Sequence, residues 1–260
     1  MKKLQLTGFQ LKFIALVGMV IDHVNTHFGH QLGFPIWVSW IGRFVVPVFL
    51  YLLAEGFIHT SNRKSYFRRL YMGAFVMFLL NLVKNIVTGH YYHPLTQEFD
   101  AFLLVDGNNI FLTLTCFFLI FSLVERIKTN EKDRWKNILL LLPMILVTCL
   151  TEGGLYLLPL GLVLAWFPRS KKAAAWTLAI TSLLLAVKAI VSYYSLGDTY
   201  ASLYHYLGFN NQFMQWVAIP LILTYNGQRG GSGKAWEKDL FYIVYPLHLM
   251  LIYIVELLIN

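Results

Sequence analysis

Lys12, Asp22 and His23 interrupt an apolar run that spans roughly residues 9–28. Ionisable side chains inside such a run are costly and mark function. If the run is an α-helix, Lys12, Leu16, Met19, His23 and His27 follow a three-and-four spacing. Eleven residues at 100° each return to within about 20° of the start, so Lys12 and His23 share one face, about 16 Å apart along the axis. A basic group at a mouth and an imidazole deep on the same wall suit one kind of reaction. An anionic donor is held at the mouth, and its reactive end reaches inward to a general base that titrates near neutrality. The alternative is a histidine that only hydrogen-bonds two helices together. Asp22 points about 100° away from His23. Its expected partner is Arg43 in "IGRFVVPVF", either within a catalytic set or as an ion pair that holds two helices in register.

Further along, "LAEGFIHTSNRKSYFRRL" places Arg63, Lys64, Arg68 and Arg69 around Tyr66. Arginine grips phosphate with two donors at once, and tyrosine offers a face for a base. The same cluster also serves to anchor a helix end at a lipid surface. Arg229 in "YNGQRG" is a further candidate for the phosphate set. Pro246 removes a backbone donor within the last apolar run and is expected to kink it, two residues before His248. His248 is the second candidate base, or a hydrogen-bonding partner of the first. Glu55, Asn108 and Asn109 are candidate substrate contacts, although both asparagines also suit a helix cap. Lys84 and Lys188 receive no role.

The elements that must position these residues follow from composition. Of 260 residues, 57% are hydrophobic and 13% are charged, against about 25% charged in a soluble domain. The expected fold is all-α, a single polytopic transmembrane bundle over 1–260. Nine apolar runs are counted, at roughly 9–28, 36–58, 66–88, 109–126, 135–150, 153–168, 174–196, 212–225 and 240–259. A tenth, re-entrant piece is possible at 101–106. The first run lacks a small-residue cleavage site and is not read as a cleaved signal. Cys116 and Cys149 read as small buried hydrophobes.

Lysine and arginine sort the loops. "SNRKSYFRR", "ERIKTNEKDRWK", "PRSKK" and "NGQRGGSGKAWEK" are basic, as are Lys2 and Lys3, whereas the alternate loops contain neither residue. This predicts a cytoplasmic N-terminus. The net charge of +8 is then sidedness and lipid adhesion, not nucleic-acid affinity. The outer face is acidic, with Glu98, Asp100, Asp106, Glu152 and Asp198. "NGQRGGSG" reads as a flexible turn.

Taken in order, "LKFIALVGMVIDHV", "IGRFVVPVFLYLLAEGFIHTSNRKSYFRRL", "YNGQRG" and "FYIVYPLHL" resemble the TraX family, named for a conjugal-transfer protein linked to N-terminal acetylation of pilin. The resemblance spans most of the chain. It implies a distant relation to the acyltransferase-3 and heparan-glucosaminide acetyltransferase proteins. Many acyltransferase-3 proteins place a basic residue, ten intervening residues and then a histidine in their first helix. Lys12 and His23 have that spacing. The resemblance therefore implies a catalytic His23 and a Lys12 that helps to hold acyl-CoA.

The expected activity is acetyl transfer from cytoplasmic acetyl-CoA to an outer amine or hydroxyl, on a peptide or pilin N-terminus or on a glycan. No metal is expected, and a homo-oligomer is possible. His23 is the expected base, with His248 or a backbone donor stabilising the oxyanion. The phosphates are expected on Lys12, Arg63, Lys64, Arg68 and Arg69 or Arg229, with one shared channel leading inward. A transporter or metal-handling protein is the second class, supported by His27, His30, His90, His93 and His205. A non-catalytic scaffold of a pilus or envelope assembly machine is the third.

Overall fold

A computed structural model describes residues 5–196, 202–234 and 236–259. Lys2, Lys3 and Asp198 lie outside the described residues. The chain folds as α1 (Gly8–Phe28), α2 (Val38–Ile41), α3 (Val45–His59), α4 (Arg63–Thr88), α5 (Ala101–Val105), α6 (Ile110–Thr129), α7 (Arg134–Cys149), α8 (Gly154–Trp166), α9 (Lys171–Ser195), α10 (Leu203–Phe209), α11 (Ala218–Thr224) and α12 (Trp236–Ile259). Each of the nine apolar runs falls on helix. A 3₁₀ turn at Gly42–Phe44 joins α2 to α3, and another at Gln212–Val217 leads into α11.

Among the described residues, five helices are long and apolar enough to cross a membrane: 38–59, α4, α6, α9 and α12. A spanning helix needs about twenty apolar residues. α8, at 13 residues, and the 212–224 segment are apolar but shorter, and α7 has 16 residues. The expectation of nine to ten spans is thus replaced by five on these criteria. α1 has the length, at 21 residues, but carries Lys12, Asp22 and His23.

α3 and α6 form the centre. Every residue of α3 from Val48 to Glu55 is buried, and so is most of α6. Helices approach closely where glycine replaces a side chain. A Cβ on Gly161 of α8 would sit 2.1 Å from the Phe117 ring of α6.

Two ends can be distinguished by charge. At the basic end, Thr7 caps α1 in a reciprocal box with Gln10, Thr7 N–H donating at 2.9 Å and Gln10 N–H at 3.3 Å. The next two amides, Gly8 and Phe9, donate to the carbonyls of Gln228 and Arg229, each at 2.8 Å. The glycine-rich segment read as flexible is therefore a folded cap. Its glycines 227, 230, 231 and 233 all have positive φ, which glycine adopts without steric cost. The Glu237 carboxylate accepts from Ser232 N–H at 2.6 Å and Gly233 N–H at 3.1 Å.

At the acidic end, the expected re-entrant piece is α5, which carries no buried residue and leaves Phe102 85% exposed. It lies on the bundle rather than inside it. Asn85 of α4 holds it down by donating to the carbonyls of Leu103 (2.9 Å), Leu104 (3.1 Å) and Asp106 (2.7 Å). The helix α10, absent from the sequence reading, docks through Trp40 Nε1–H to Leu207 O at 3.2 Å and Ser39 Oγ–H to Gly208 O at 3.0 Å.

Replacing fully buried Asn85 by alanine removes all three bonds and exposes three carbonyls, at about 1 kcal/mol per bond. Hydrogen exchange should accelerate over 89–106, while α3 and α6 stay protected. Unchanged exchange in that loop would disprove the anchor.

Candidate functional site

Two cavities, each with charged groups set in a largely apolar lining, lie back to back along α1. The basic-end cavity, of about 500 Å³, is bounded by α1, the end of α3, the start of α4, the glycine-rich segment and the start of α12. Lys12, Arg69 and Arg229 all line it, and both arginines act electrostatically on Lys12. Among the described residues, none of the three forms an ion pair. Arg69 offers Nη1–H to Ser65 Oγ at 3.5 Å, and its buried Nε has no partner. Its guanidinium lies 5.7 Å from the Tyr66 ring centroid. Three cations outside ion pairs, against the two carboxylates of Glu55 and Glu237 in the same lining, leave a ligand-sized hollow with an excess of positive charge that suits an anion.

The other expected phosphate ligands lie elsewhere. Arg63 forms a two-pronged pair with Glu125, with Nη2 to Oε1 at 3.0 Å and Nη1 to Oε2 as the second contact. It also lies over the Phe57 ring at 4.2 Å. Lys64 and Arg68 are exposed and do not line the cavity. The reason is helical phase. Ser65, Tyr66 and Arg69, at three and four residues' spacing, share the inner face, whereas Lys64 and Arg68 share another. Glu55 lines this same cavity, 3.7 Å from His59, so it stands with the cations and apart from Asn108 and Asn109.

The acidic-end cavity, of about 350 Å³, is lined by Asp22, His23, Arg43, Asn108, Glu152 and Gln215 among others. Arg43 Nη2 donates to both Asp22 oxygens, at 3.0 and 2.8 Å, as its sequence position suggested. The carboxylate fits because residue 42 is glycine. A Cβ there would stand 2.0 Å from Asp22 Cγ.

The His23 and His248 rings are nearly parallel, at 8°, and meet edge to edge, with Nδ1 of the first 2.6 Å from Nε2 of the second. The remaining His248 nitrogen, Nδ1, lies 2.8 Å from the Val244 carbonyl oxygen. That oxygen only accepts, so His248 Nδ1 carries a proton. In the neutral ring, Nε2 then accepts and His23 Nδ1–H donates. By this assignment, the proton-free nitrogen of His23 is Nε2. Among the described residues it has no hydrogen-bond partner, and it is not sealed off from the cavity. The chain thus ends in a proton-free nitrogen at the cavity. Both His248 nitrogens are engaged and His248 does not line the cavity, so its expected role as oxyanion donor gives way to one of orientation. α12 runs unbroken through Pro246.

Asn109 is a cap. Its Oδ1 accepts from Leu112 N–H at 3.1 Å, and its amide donates to Ala74 O at 3.0 Å. Asn108 borders the cavity and offers Nδ2–H to the Tyr253 hydroxyl at 3.5 Å. Sequence reasoning missed Glu152 as a site residue, seeing only an outer charge. It lies in the turn between α7 and α8, where Oε2 accepts from Asn109 N–H and, at 3.4 Å, from the Tyr245 hydroxyl. Burial raises its carboxyl to about 7. The glycines in "TEGG" were the available signal of a tight polar turn.

The two cavities do not join. A narrow space of about 40 Å³ runs between Lys12, Leu16, Leu114 and Phe49, and Phe49 also lines the acidic-end cavity. Phe49 stacks on Phe241 with ring centroids 4.1 Å apart. The single open channel expected from helical phase is therefore a divided one. Of the outer histidines, His27 pairs with Glu256 at 3.1 Å. Among the described residues, no three His, Cys, Asp or Glu side chains gather as metal ligands.

The apolar helices and the two opposed chambers define a membrane protein with transmembrane helices, holding an anion-suited hollow and an imidazole-bearing one. The chain belongs to the TraX family, whose profile, described as TraX protein, matches residues 7–256. It is 23% identical over 265 residues to a protein of Dichelobacter nodosus named "Probable fimbrial assembly protein FimC, serogroup H1", covering 96% of both chains. No solved structure matches.

Gly42→Ala tests the seat of the ion pair. It should destabilise the protein by about 1–3 kcal/mol through overpacking against Asp22, read as a lowered thermal midpoint in detergent. Wild-type stability would mean that the Asp22 carboxylate sits elsewhere.

Proposed function

We propose that this protein is a membrane acetyltransferase acting in pilus or fimbrial assembly. The observation that carries this reading is the unpartnered Nε2 of His23, fixed as the basic atom by His248 and Val244, on the same helix as Lys12 in the cationic chamber. The family's association with pilin acetylation and the relative's name support the setting. The lysine and arginine distribution supports a cytoplasmic basic end in a bacterial inner membrane.

Acetyl-CoA enters the basic-end chamber. Lys12, Arg69 and Arg229 hold its phosphates, and Tyr66 borders the same space. The pantetheine arm follows the narrow apolar space inward and displaces Phe49 to present the thioester to the second cavity. An acceptor amine or hydroxyl enters from the acidic end. His23 Nε2 takes its proton as the acceptor attacks the thioester carbon. The C–S bond then breaks, and the leaving thiolate takes the proton from the imidazolium.

Thermal unfolding with acetyl-CoA, with CoA and without ligand tests the donor. A ligand that binds only the folded state adds about 2.7 kcal/mol at one hundred times its Kd. Both nucleotides should raise the midpoint, and Lys12→Ala should reduce the rise. His23→Ala should keep the rise and lower transfer by about 10²–10⁴-fold. No rise at millimolar nucleotide sinks the donor assignment. Full transfer by His23→Ala removes the base, and a folded His23→Ala protein that still supports assembly favours a scaffold.

A further inference from the structure

The cavity around His23 contains a carboxylate that the mechanism above leaves unused. Asp22 is neutralised by Arg43. Glu152 forms no ion pair among the described residues. One of its oxygens takes the Asn109 N–H and the Tyr245 hydroxyl. Among the described residues the other, Oε1, has no hydrogen-bond partner and is not sealed from solvent, so it opens onto the cavity. The titratable and charged groups around it are Asp22 and His23 from α1, Arg43 from the 3₁₀ turn, Tyr156 from α8, and Tyr245 from α12. Tyr253 lies behind Asn108.

Counting protons gives this carboxylate a task. His23 has one nitrogen free to take one proton. A hydroxyl acceptor gives up one proton, but an amine arrives at neutral pH as ammonium, which has no lone pair. It must lose one proton before it can attack and a second afterwards.

We infer that Glu152 is a second base of the acidic-end cavity, taking from an ammonium acceptor the proton that must leave before His23 acts. The inference rests on the acyl-transfer reading. The ammonium gives a proton to Glu152 Oε1, leaving a neutral amine and a carboxylic acid. The amine nitrogen bonds to the thioester carbon, and the carbonyl electron pair moves to oxygen. His23 Nε2 takes the second proton. The C–S bond breaks, and the thiolate leaves with the bonding pair and is protonated by the imidazolium. Glu152 returns its proton to water at the acidic-end mouth. Ammonium and acyl-CoA thus become amide, free CoA thiol and one proton.

The test uses the full chain in liposomes, acetyl-CoA labelled in the acetyl group, and the dipeptide amide Gly-Leu-NH₂ as the acceptor. Wild type, Glu152→Gln, Glu152→Asp and His23→Ala are compared from about pH 6.5 to about pH 9.5, spanning the α-amino titration. Glu152→Gln should lower kcat/KM by about 10–100-fold at the acid end. It should approach wild type at the alkaline end, where the amine arrives without its extra proton, and Glu152→Asp should restore part of the loss. A loss independent of pH, or no loss, overturns the inference while leaving acyl transfer intact. No transfer by wild type at any pH overturns the acyl-transfer reading instead. Infrared titration gives a readout independent of transfer. A protonated-carboxyl signal should titrate near neutrality, vanish in Glu152→Gln and persist in Asp22→Asn. Its absence from wild type overturns the inference whatever the transfer assay gives.

Discussion

The contact of 2.6 Å between His23 Nδ1 and His248 Nε2 joins the first helix of the bundle to the last. His248 engages both of its nitrogens within the protein and His23 engages one, as buried polar groups generally do. The Val244 carbonyl, one turn before His248, fixes the direction of the whole chain of bonds. Helix α12 thereby determines which nitrogen of α1 stays proton-free, although the two residues are 225 positions apart. Tyr245, on the same stretch of α12, donates to Glu152 and accepts from Ile110 N–H at 3.2 Å. One turn of one helix therefore orients the His23 imidazole and the carboxylate that shares its cavity.

Charge is divided along the molecule in a way that packing alone does not require. At the basic end, Arg63 is tied to Glu125 and Lys128 caps α8 by donating to the carbonyls of Ala165 (3.0 Å) and Trp166 (2.7 Å). Those cations have structural partners. Among the described residues, Lys12, Arg69 and Arg229 form no ion pair, and they share a hollow. Bringing like charges together costs energy unless an anion offsets it. At the acidic end, the arrangement reverses, since Arg43 is matched to Asp22 while Glu152 lacks a cation.

Much of this was legible in the sequence. Apolar runs located the helices because hydrophobic length is a strong signal. Asp22 and Arg43 were matched because both stand a few turns from the same end of adjacent helices. Lys12 and His23 were placed on the inner side by helical phase, and both do line cavities. Phase did not reveal that Phe49 and Phe241 divide the space, because that depends on side chains from two other helices. Arg63, Lys64 and Arg68 were grouped with Arg69 by proximity in sequence, whereas a helix turns neighbours through 100°. Glu152 was taken for a surface charge because nothing local announces that Asn109 and Tyr245, 43 and 93 residues away, converge on it. The glycine-rich segment read as flexible because its order comes from α1 and Glu237, not from its own residues.

The aromatic pair of Phe49 and Phe241 has an electrical consequence. Hollows that open towards opposite faces of a bilayer would, if they met, leave a wet path down which protons and small ions could run. An ion crossing dry hydrocarbon meets a steep barrier, and two stacked apolar rings with 4.1 Å between their centroids stand in the septum. Set across a bilayer, such a septum would let polar groups stand at depth from both ends without discharging the membrane's voltage.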